Sequence, residues 1–237
     1  MKRVLVVDDD TISRMAVCDV LNEIGGIDIV EATDGTEAWD ILSRDSSFVL
    51  CCFDVRMPIM SGTDLVKKMR TDLRFKYISV LLITSVADKE TILAASKMNV
   101  AGYLIKPIDA EQAISKVNAT LRRADADILL PFNSIAERLK INEERYLKYL
   151  NAFLAQFETT ISDLENIEPN ELSKVGIARL DQLRTACITL GAIQAIKSIT
   201  DIEEHCLKGV VPAPTMHAMT VSVLKAELNR LKARIEL

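Results

Sequence analysis

A chain of 237 residues with 49% hydrophobic and 27% charged side chains can bury a core in one large domain or two of ordinary size, which excludes a disordered or fibrous protein. The formal net charge of −5 divides as −2 over residues 1–124 and −3 over 125–237, so neither half offers the basic surface that non-specific nucleic-acid binding needs. The five cysteines show neither framework spacing nor a C-x-x-C pattern, Met1-Lys2-Arg3 leads straight into a strand, and no apolar run reaches the roughly 18–20 residues of a membrane span; the expectation is buried thiols in a cytoplasmic chain with no membrane partner.

From the start, short apolar runs alternate with amphipathic stretches: 4–7 then 12–24, 28–32 then 36–42, 48–53 then 64–69, 80–83 then 91–98, and 103–105 then 110–121. This is a (βα)5 pattern. The strands are continuous apolar runs without polar alternation, which implies helices on both faces of each and hence an α/β, doubly wound parallel sheet. Chemistry then belongs at the strands' carboxyl ends.

Asp8 and Asp9 end the first predicted strand and Asp54 follows the third, so three carboxylates converge on one crevice. Any one of them alone reads as a helix cap, as Asp10 does before Thr11-Ile12-Ser13. Together they repel, and a hard divalent cation with oxygen ligands, Mg²⁺, is what neutralises such a group. A metal so held offsets phosphoryl charge and leaves one carboxylate, Asp54, to attack phosphorus and become an acyl phosphate. Thr84 ends the fourth strand and Lys106 the fifth, at the same sheet edge; a hydroxyl donor and an ammonium are what phosphoryl oxygens on Asp54 require.

In order along the chain, Val-Val-Asp-Asp (6–9), Asp-Val-Arg-Met-Pro (54–58), Ile-Thr-Ser (83–85) and Gly-Tyr-Leu-Ile-Lys-Pro (102–107) resemble the motifs of a response-regulator receiver domain of two-component signalling, over residues 1–124. The resemblance implies a flavodoxin-like fold with Asp54 as phosphoacceptor. It implies Asp8, Asp9, Asp54 and the backbone carbonyl of Arg56 as Mg²⁺ ligands, Asp9 binding directly and Asp8 through water. Thr84 becomes the switch hydroxyl, Lys106 the phosphate-contacting lysine, and Lys106-Pro107 a cis bond. Tyr103 fits the aromatic that turns inward on activation and equally fits an ordinary edge-strand aromatic. Arg56 and Val86 flank the pocket and influence the lifetime of the acyl phosphate. A sensor histidine kinase is the implied donor. Phosphorylation would reshape the face built from the fourth helix (91–98), fifth strand and fifth helix (110–121), where a partner or a second copy reads the state.

After Arg122-Arg123 the strand-like runs stop. Residues 125–141 read as a linker or connecting helix, and 142–237 as an all-α bundle with helices at about 142–166, 171–190, 192–208 and 215–236, bounded by Glu168-Pro169, Gly191, and Gly209 with Pro212 and Pro214. The string from His205 to Gly209 is similar to the core of histidine phosphotransfer (HPt) domains and would make His205 an acceptor. In that family the helix continues past the Gly, whereas Pro212 and Pro214 stop it here, so Gly209 reads as a helix C′ residue and Lys208 as a last-turn cation. His217 matches no motif. A second register fits better: 146–166 resembles the first long HPt helix and 180–192 the acceptor helix, which puts Asp181 at the acceptor position and Arg184 and Thr185 at its Lys and Gly positions. That implies a degenerate HPt-like bundle that docks a receiver or other signalling protein without forming phosphohistidine. A generic dimerisation bundle competes with it, on the heptad-like Val221, Leu224, Leu228 and Leu231.

The expected function is a response regulator whose Asp54 phosphorylation, dependent on Mg²⁺, switches protein–protein interactions; it is not an enzyme beyond its own acyl-phosphate chemistry. The competing reading is a phosphorelay intermediate passing phosphate from Asp54 to His205. DNA binding is disfavoured, because the helical half lacks a basic stripe and its helices are too long and regular for a turn-linked recognition pair.

Overall fold

The computed structural model describes residues 1–85, 98–209 and 211–235, and of Ser173 and Lys174 the backbone alone. The chain divides into two compact units, Met1–Ala124 and Asp125–Glu236. The first holds strands β1 (Lys2–Val7), β2 (Ile27–Ala32), β3 (Phe48–Asp54), β4 (Ser79–Ser85) and β5 (Gly102–Lys106), with helices α1 (Thr11–Ile24), α2 (Gly35–Arg44), α3 (Gly62–Thr71) and the first part of α4 (Ala110–Ile128). Val86 and, apart from Met98, the helix expected over 91–98 lie outside the described residues.

Each of the first three helices starts on a side-chain cap, which satisfies amide groups that no helical carbonyl reaches. Asp10 accepts from the Ser13 amide at 2.7 Å, Asp34 from the Thr36 amide at 2.7 Å, and Ser61 from the Asp64 amide at 3.1 Å. The strands form one parallel sheet in the order β2-β1-β3-β4-β5. The chain winds outward in opposite directions from β1 and β3, which opens a crevice at the carboxyl ends of that pair.

Successive side chains of a strand face opposite sides of the sheet. On one side Leu5, Val7, Cys51, Phe53, Val80 and Leu82 pack with Ala38 and Leu42 of α2 and Leu65, Val66 and Met69 of α3. On the other, Val4, Val6, Leu50, Cys52, Leu81 and Ile83 are equally buried, as are Val17, Val20 and Leu21 of α1 and Ala113 and Val117 of α4. Coverage on both faces therefore holds for the bodies of β1, β3 and β4. It fails at the edges: Glu31 of β2 is exposed and Ile105 of β5 is 54% exposed, because an edge strand has a neighbour on one side alone.

The second unit is all helical: α5 (Phe132–Leu139), α6 (Glu143–Glu165), α7 (Ile177–Leu190), α8 (Ile193–Lys208) and α9 (Ala213–Ile235). Helices α6 to α9 pack each against the next and α9 back against α6, an up-and-down four-helix bundle. Phe153, Phe157, Leu180, Leu183, Ile199, Ile202, Val223 and Leu224 supply its core. Within it Arg230 and Glu227 pair at 2.9 Å with side chains 1% and 2% exposed, and Ser198 donates to Glu227 at 2.7 Å. Gly191 and Gly209 end α7 and α8 in the left-handed region, at φ 70° and 61°.

Five sequence expectations are refined or change here. The segment at 125–141, expected as a linker or connecting helix, is helical on both sides of Pro131, with α4 running to Ile128 and α5 at Phe132–Leu139. The helix expected from residue 171 starts at Ile177, behind a 3₁₀ turn (Pro169–Glu171) and a π-helical turn (Leu172–Gly176). The last helix starts at Ala213 with Pro214 inside its first turn, where a missing N–H costs nothing. Leu224, Leu228 and Leu231 are buried in the bundle's own core, so the heptad-like spacing is not an exposed dimerisation stripe. Cys18 and Cys206, also expected to be buried, are half-exposed, and none of the five cysteines is in a disulfide.

Gly62 begins α3 where a Cβ would lie 2.0 Å from the Asp54 carbonyl oxygen and 3.2 Å from Phe53 Cβ. Backbone must move to admit a methyl there, so Gly62→Ala is expected to lower the urea-unfolding free energy by about 1–3 kcal/mol.

Candidate functional site

The acidic group converges in the crevice beside β1 and β3. Asp8 follows β1, Asp54 closes β3, and Lys106 closes β5. Carboxylate oxygens of Asp8, Asp9 and Asp54 lie within 4.8 Å of one another. Asp8 has no exposed surface and Asp54 is 5% exposed, whereas Asp9 is open to solvent. Lys106 Nζ sits between the two buried carboxylates, 2.6 Å from Asp54 Oδ1 and 2.9 Å from Asp8 Oδ2. The remaining oxygens are held by local donors: the Arg56 amide reaches Asp54 Oδ2 at 2.6 Å, and the Asp10 amide reaches Asp8 Oδ1 at 3.0 Å.

Burial pushes the Asp54 carboxyl above the ordinary carboxylate range; the hydrogen bond from Lys106 opposes that rise, and the charge of Asp8 adds to it. For Lys106, burial pulls downward but the bonds to Asp54 and Asp8 outweigh it, so the group stays an ammonium. The pocket thus contains a carboxylate of raised basicity next to a fixed cation. All clustered side-chain donors are hard oxygens, with no thiol or imidazole among them, and this set suits Mg²⁺. Among the described residues no second group of three such side chains converges.

The other sequence candidates are placed less directly. Thr84 is 1% exposed and stands one residue beyond Ile83, the β4 partner of Asp54; its hydroxyl donates to the Ser85 carbonyl at 3.2 Å. Tyr103 on β5 is half-buried against the sheet core, its phenol pushed up by that burial. The Lys106-Pro107 bond is cis. Asp181 and His205 lie in the second unit. Asp181 is 58% exposed on α7, ion-paired with Arg184, and Arg184 also reaches Glu203 at 3.5 Å. His205 Nδ1 pairs with the Asp201 carbonyl at 2.7 Å in the last turn of α8.

Two residues given no site role by the sequence also touch the acidic group. Ser13 Oγ donates to Asp8 Oδ2 at 2.6 Å, and Arg14 donates to the Asp8 carbonyl at 2.7 Å while its Nε pairs with Glu31 at 2.9 Å. Their signal was positional: the third and fourth residues of a helix that starts directly after the acidic pair turn back toward the preceding strand end.

Comparison with known proteins bears on the first unit. The family model described as the response regulator receiver domain matches residues 4–118. Chemotaxis protein CheY1 of Helicobacter pylori is 36% identical over 123 residues, which cover 52% of this chain and 99% of that protein. The chain belongs to the response-regulator receiver family. Chemotaxis protein CheY-3 of Vibrio cholerae is likewise 36% identical, over 122 residues covering 51% of this chain and 92% of its own. The receiver protein of Pseudomonas putida, a solved structure, is 30% identical over 50% of this chain and 96% of that one, with a TM-score of 0.45. The receiver of this chain is thus similar to CheY-type regulators through its first unit. No helix of the described residues is long and apolar enough to cross a membrane.

Removing the ammonium exposes the cost of the carboxylates it holds. Lys106 is 27% exposed, between the surface and buried limits for an ion pair, and Lys106→Met is expected to cost about 1–3 kcal/mol at neutral pH in magnesium-free buffer. Asp54 then keeps the upward push of burial without its main opponent. A carboxyl with a folded pKa above its unfolded value binds its proton more tightly when folded, so the deficit relative to wild type shrinks as pH falls toward about 4. Urea unfolding of both chains across that range measures it.

Proposed function

We propose that this protein is a response regulator in which Asp54 accepts a phosphoryl group in an Mg²⁺-dependent reaction, and that the acyl phosphate switches its protein–protein interactions. The observation that carries the reading is Lys106 Nζ held 2.6 Å from Asp54 Oδ1 inside a group of three carboxylates. Asp8 has no exposed surface, so a phosphodonor cannot reach it, whereas Asp54 keeps a small exposed edge and a raised basicity.

Asp8, Asp9, Asp54 and the carbonyl of Arg56 would hold Mg²⁺, with Asp9 bound directly and Asp8 through water. Bound there, the ion supplies charge neutralisation for phosphoryl oxygens. An Asp54 oxygen attacks the phosphorus of a phosphohistidine on a sensor kinase; the P–N bond breaks, the imidazole leaves with the bonding pair and takes a proton, and an aspartyl phosphate remains. Lys106 turns from the carboxylates to the new oxygens, and the Thr84 hydroxyl donates to them. The described part of the surface that reports the state is β5 with α4, where Tyr103, Ile105, Gln112 and Lys116 line a cavity of about 300 Å³. A partner or a second copy of the chain would read it, with Tyr103 as the moving aromatic.

The second unit is read as a degenerate HPt-like bundle, in which Asp181 stands where an acceptor histidine would be. Its exposed Asp181, Arg184 and Thr185 face docks a receiver or another signalling protein without phosphohistidine chemistry. The relay through His205 is weaker, because the helix ends at Lys208 with Gly209 left-handed. With a net charge of −5, DNA binding is disfavoured, and on this reading the protein is not an enzyme beyond forming and losing its own acyl phosphate.

Intact mass after incubation with Mg²⁺ and a small phosphodonor tests this. One phosphoryl increment is expected in wild type and in His205→Ala, and none in Asp54→Asn or in the presence of chelator. An adduct that survives Asp54→Asn and disappears in His205→Ala would restore the relay.

A further inference from the structure

Asp8 is a fully buried carboxylate whose two oxygens are both engaged. Oδ1 accepts the Asp10 amide at 3.0 Å; Oδ2 accepts Lys106 Nζ at 2.9 Å and Ser13 Oγ at 2.6 Å. Lys106 is shared, since it also reaches Asp54 Oδ1. Phosphoryl oxygens on Asp54 compete for the same ammonium. When it turns to them, Ser13 remains as the side-chain donor at Oδ2 of Asp8.

The first turn of α1 leaves that hydroxyl available. In an ordinary capped helix the third residue is often Glu or Gln, reaching back to the amide of the N-cap. Here Asp10 is the N-cap and accepts the Ser13 amide at 2.7 Å, while the Asp10 amide is taken by Asp8 itself. The helix start is thus satisfied without the Ser13 side chain, and its hydroxyl serves Asp8. Arg14, with its side chain 12% exposed, braces the same loop between the Asp8 carbonyl and Glu31.

We propose that Ser13 is a positioning residue for the metal pair, holding the Asp8 carboxylate toward the cation and standing in for Lys106 when that group turns to phosphate. The inference rests on the reading of this pocket as a Mg²⁺ site. Outer partners that orient a metal-binding carboxylate are worth about tenfold or more in affinity.

The test is calorimetric titration of MgCl₂ into the full chain as wild type, Ser13→Ala and Ser13→Thr, each also in a Lys106→Met background, with thermal unfolding in magnesium-free buffer. Ser13→Ala is expected to bind Mg²⁺ about tenfold more weakly and Ser13→Thr within about twofold of wild type, with every variant still folded in magnesium-free buffer at the titration temperature. The Ser13→Ala loss is expected to grow when Lys106 is Met, because the two donors share one oxygen. Equal affinity in Ser13→Ala, an equal loss in Ser13→Thr, or an unchanged loss in the Lys106→Met background overturns the proposal. A wild-type chain that takes up no Mg²⁺ overturns the metal reading beneath it, a result distinct from these.

Discussion

Like charges at the ends of adjacent strands repel, and in this receiver one ammonium group offsets that repulsion: Lys106 Nζ, between Asp8 and Asp54. The arrangement follows from the parallel sheet, which puts the ends of β1, β3 and β5 on one edge. Burial makes the pair costly and also useful. In water the attraction at such distances is small, whereas in a desolvated crevice it fixes both side chains. A divalent cation and a phosphoryl group would relieve the same electrostatic stress by different routes. The cation neutralises the carboxylates, and the phosphoryl group converts one of them into an acyl phosphate and draws the ammonium away. The chemistry proposed for Asp54 is therefore a redistribution of charges that the fold already holds in tension.

The loops carry the rest of the constraint. Gly62 is pressed so closely on the Asp54 carbonyl that no side chain fits, which ties the start of α3 to the end of β3. On the opposite side, Asp10, Ser13 and Arg14 tie the start of α1 to Asp8. Helix starts thus serve as the fixtures of the carboxylates, and a movement at either is felt at the acidic group. The second unit is built differently: its core is largely aliphatic and aromatic, with Arg230, Glu227 and Ser198 as a buried polar cluster and Thr160, Gln194 and Thr220 buried as well, and it presents Asp181 and Arg184 outward.

Much of this was legible in the residues. Asp8, Asp9, Asp54 and Lys106 could be brought together on paper because apolar runs of the length of 4–7 and 48–53 define parallel strands whose ends must align. Gly191 and Gly209 announced the ends of their helices because the left-handed region favours glycine. What failed did so for equally physical reasons. Edge strands such as β2 carry polar residues on an uncovered side, which an apolar run conceals. Pro214 suggested a boundary two residues late because proline is excluded from helix interiors but accepted in first turns. Leu224, Leu228 and Leu231 have the spacing of a dimer seam, but a four-helix core uses the same spacing, and burial inside the bundle decides between them. Ser13 carried no motif at all; its hydroxyl matters through a helix-start geometry that spacing alone does not display.

The central claim, an acyl phosphate on Asp54, is tested most directly by borohydride reduction of the chain after exposure to Mg²⁺ and a phosphodonor, followed by peptide mapping. Reduction converts an aspartyl phosphate to homoserine and leaves free carboxylates and phosphohistidine unchanged. The account predicts homoserine at position 54 and nowhere else. Homoserine at another aspartate, or a phosphorylated chain with none, would contradict it.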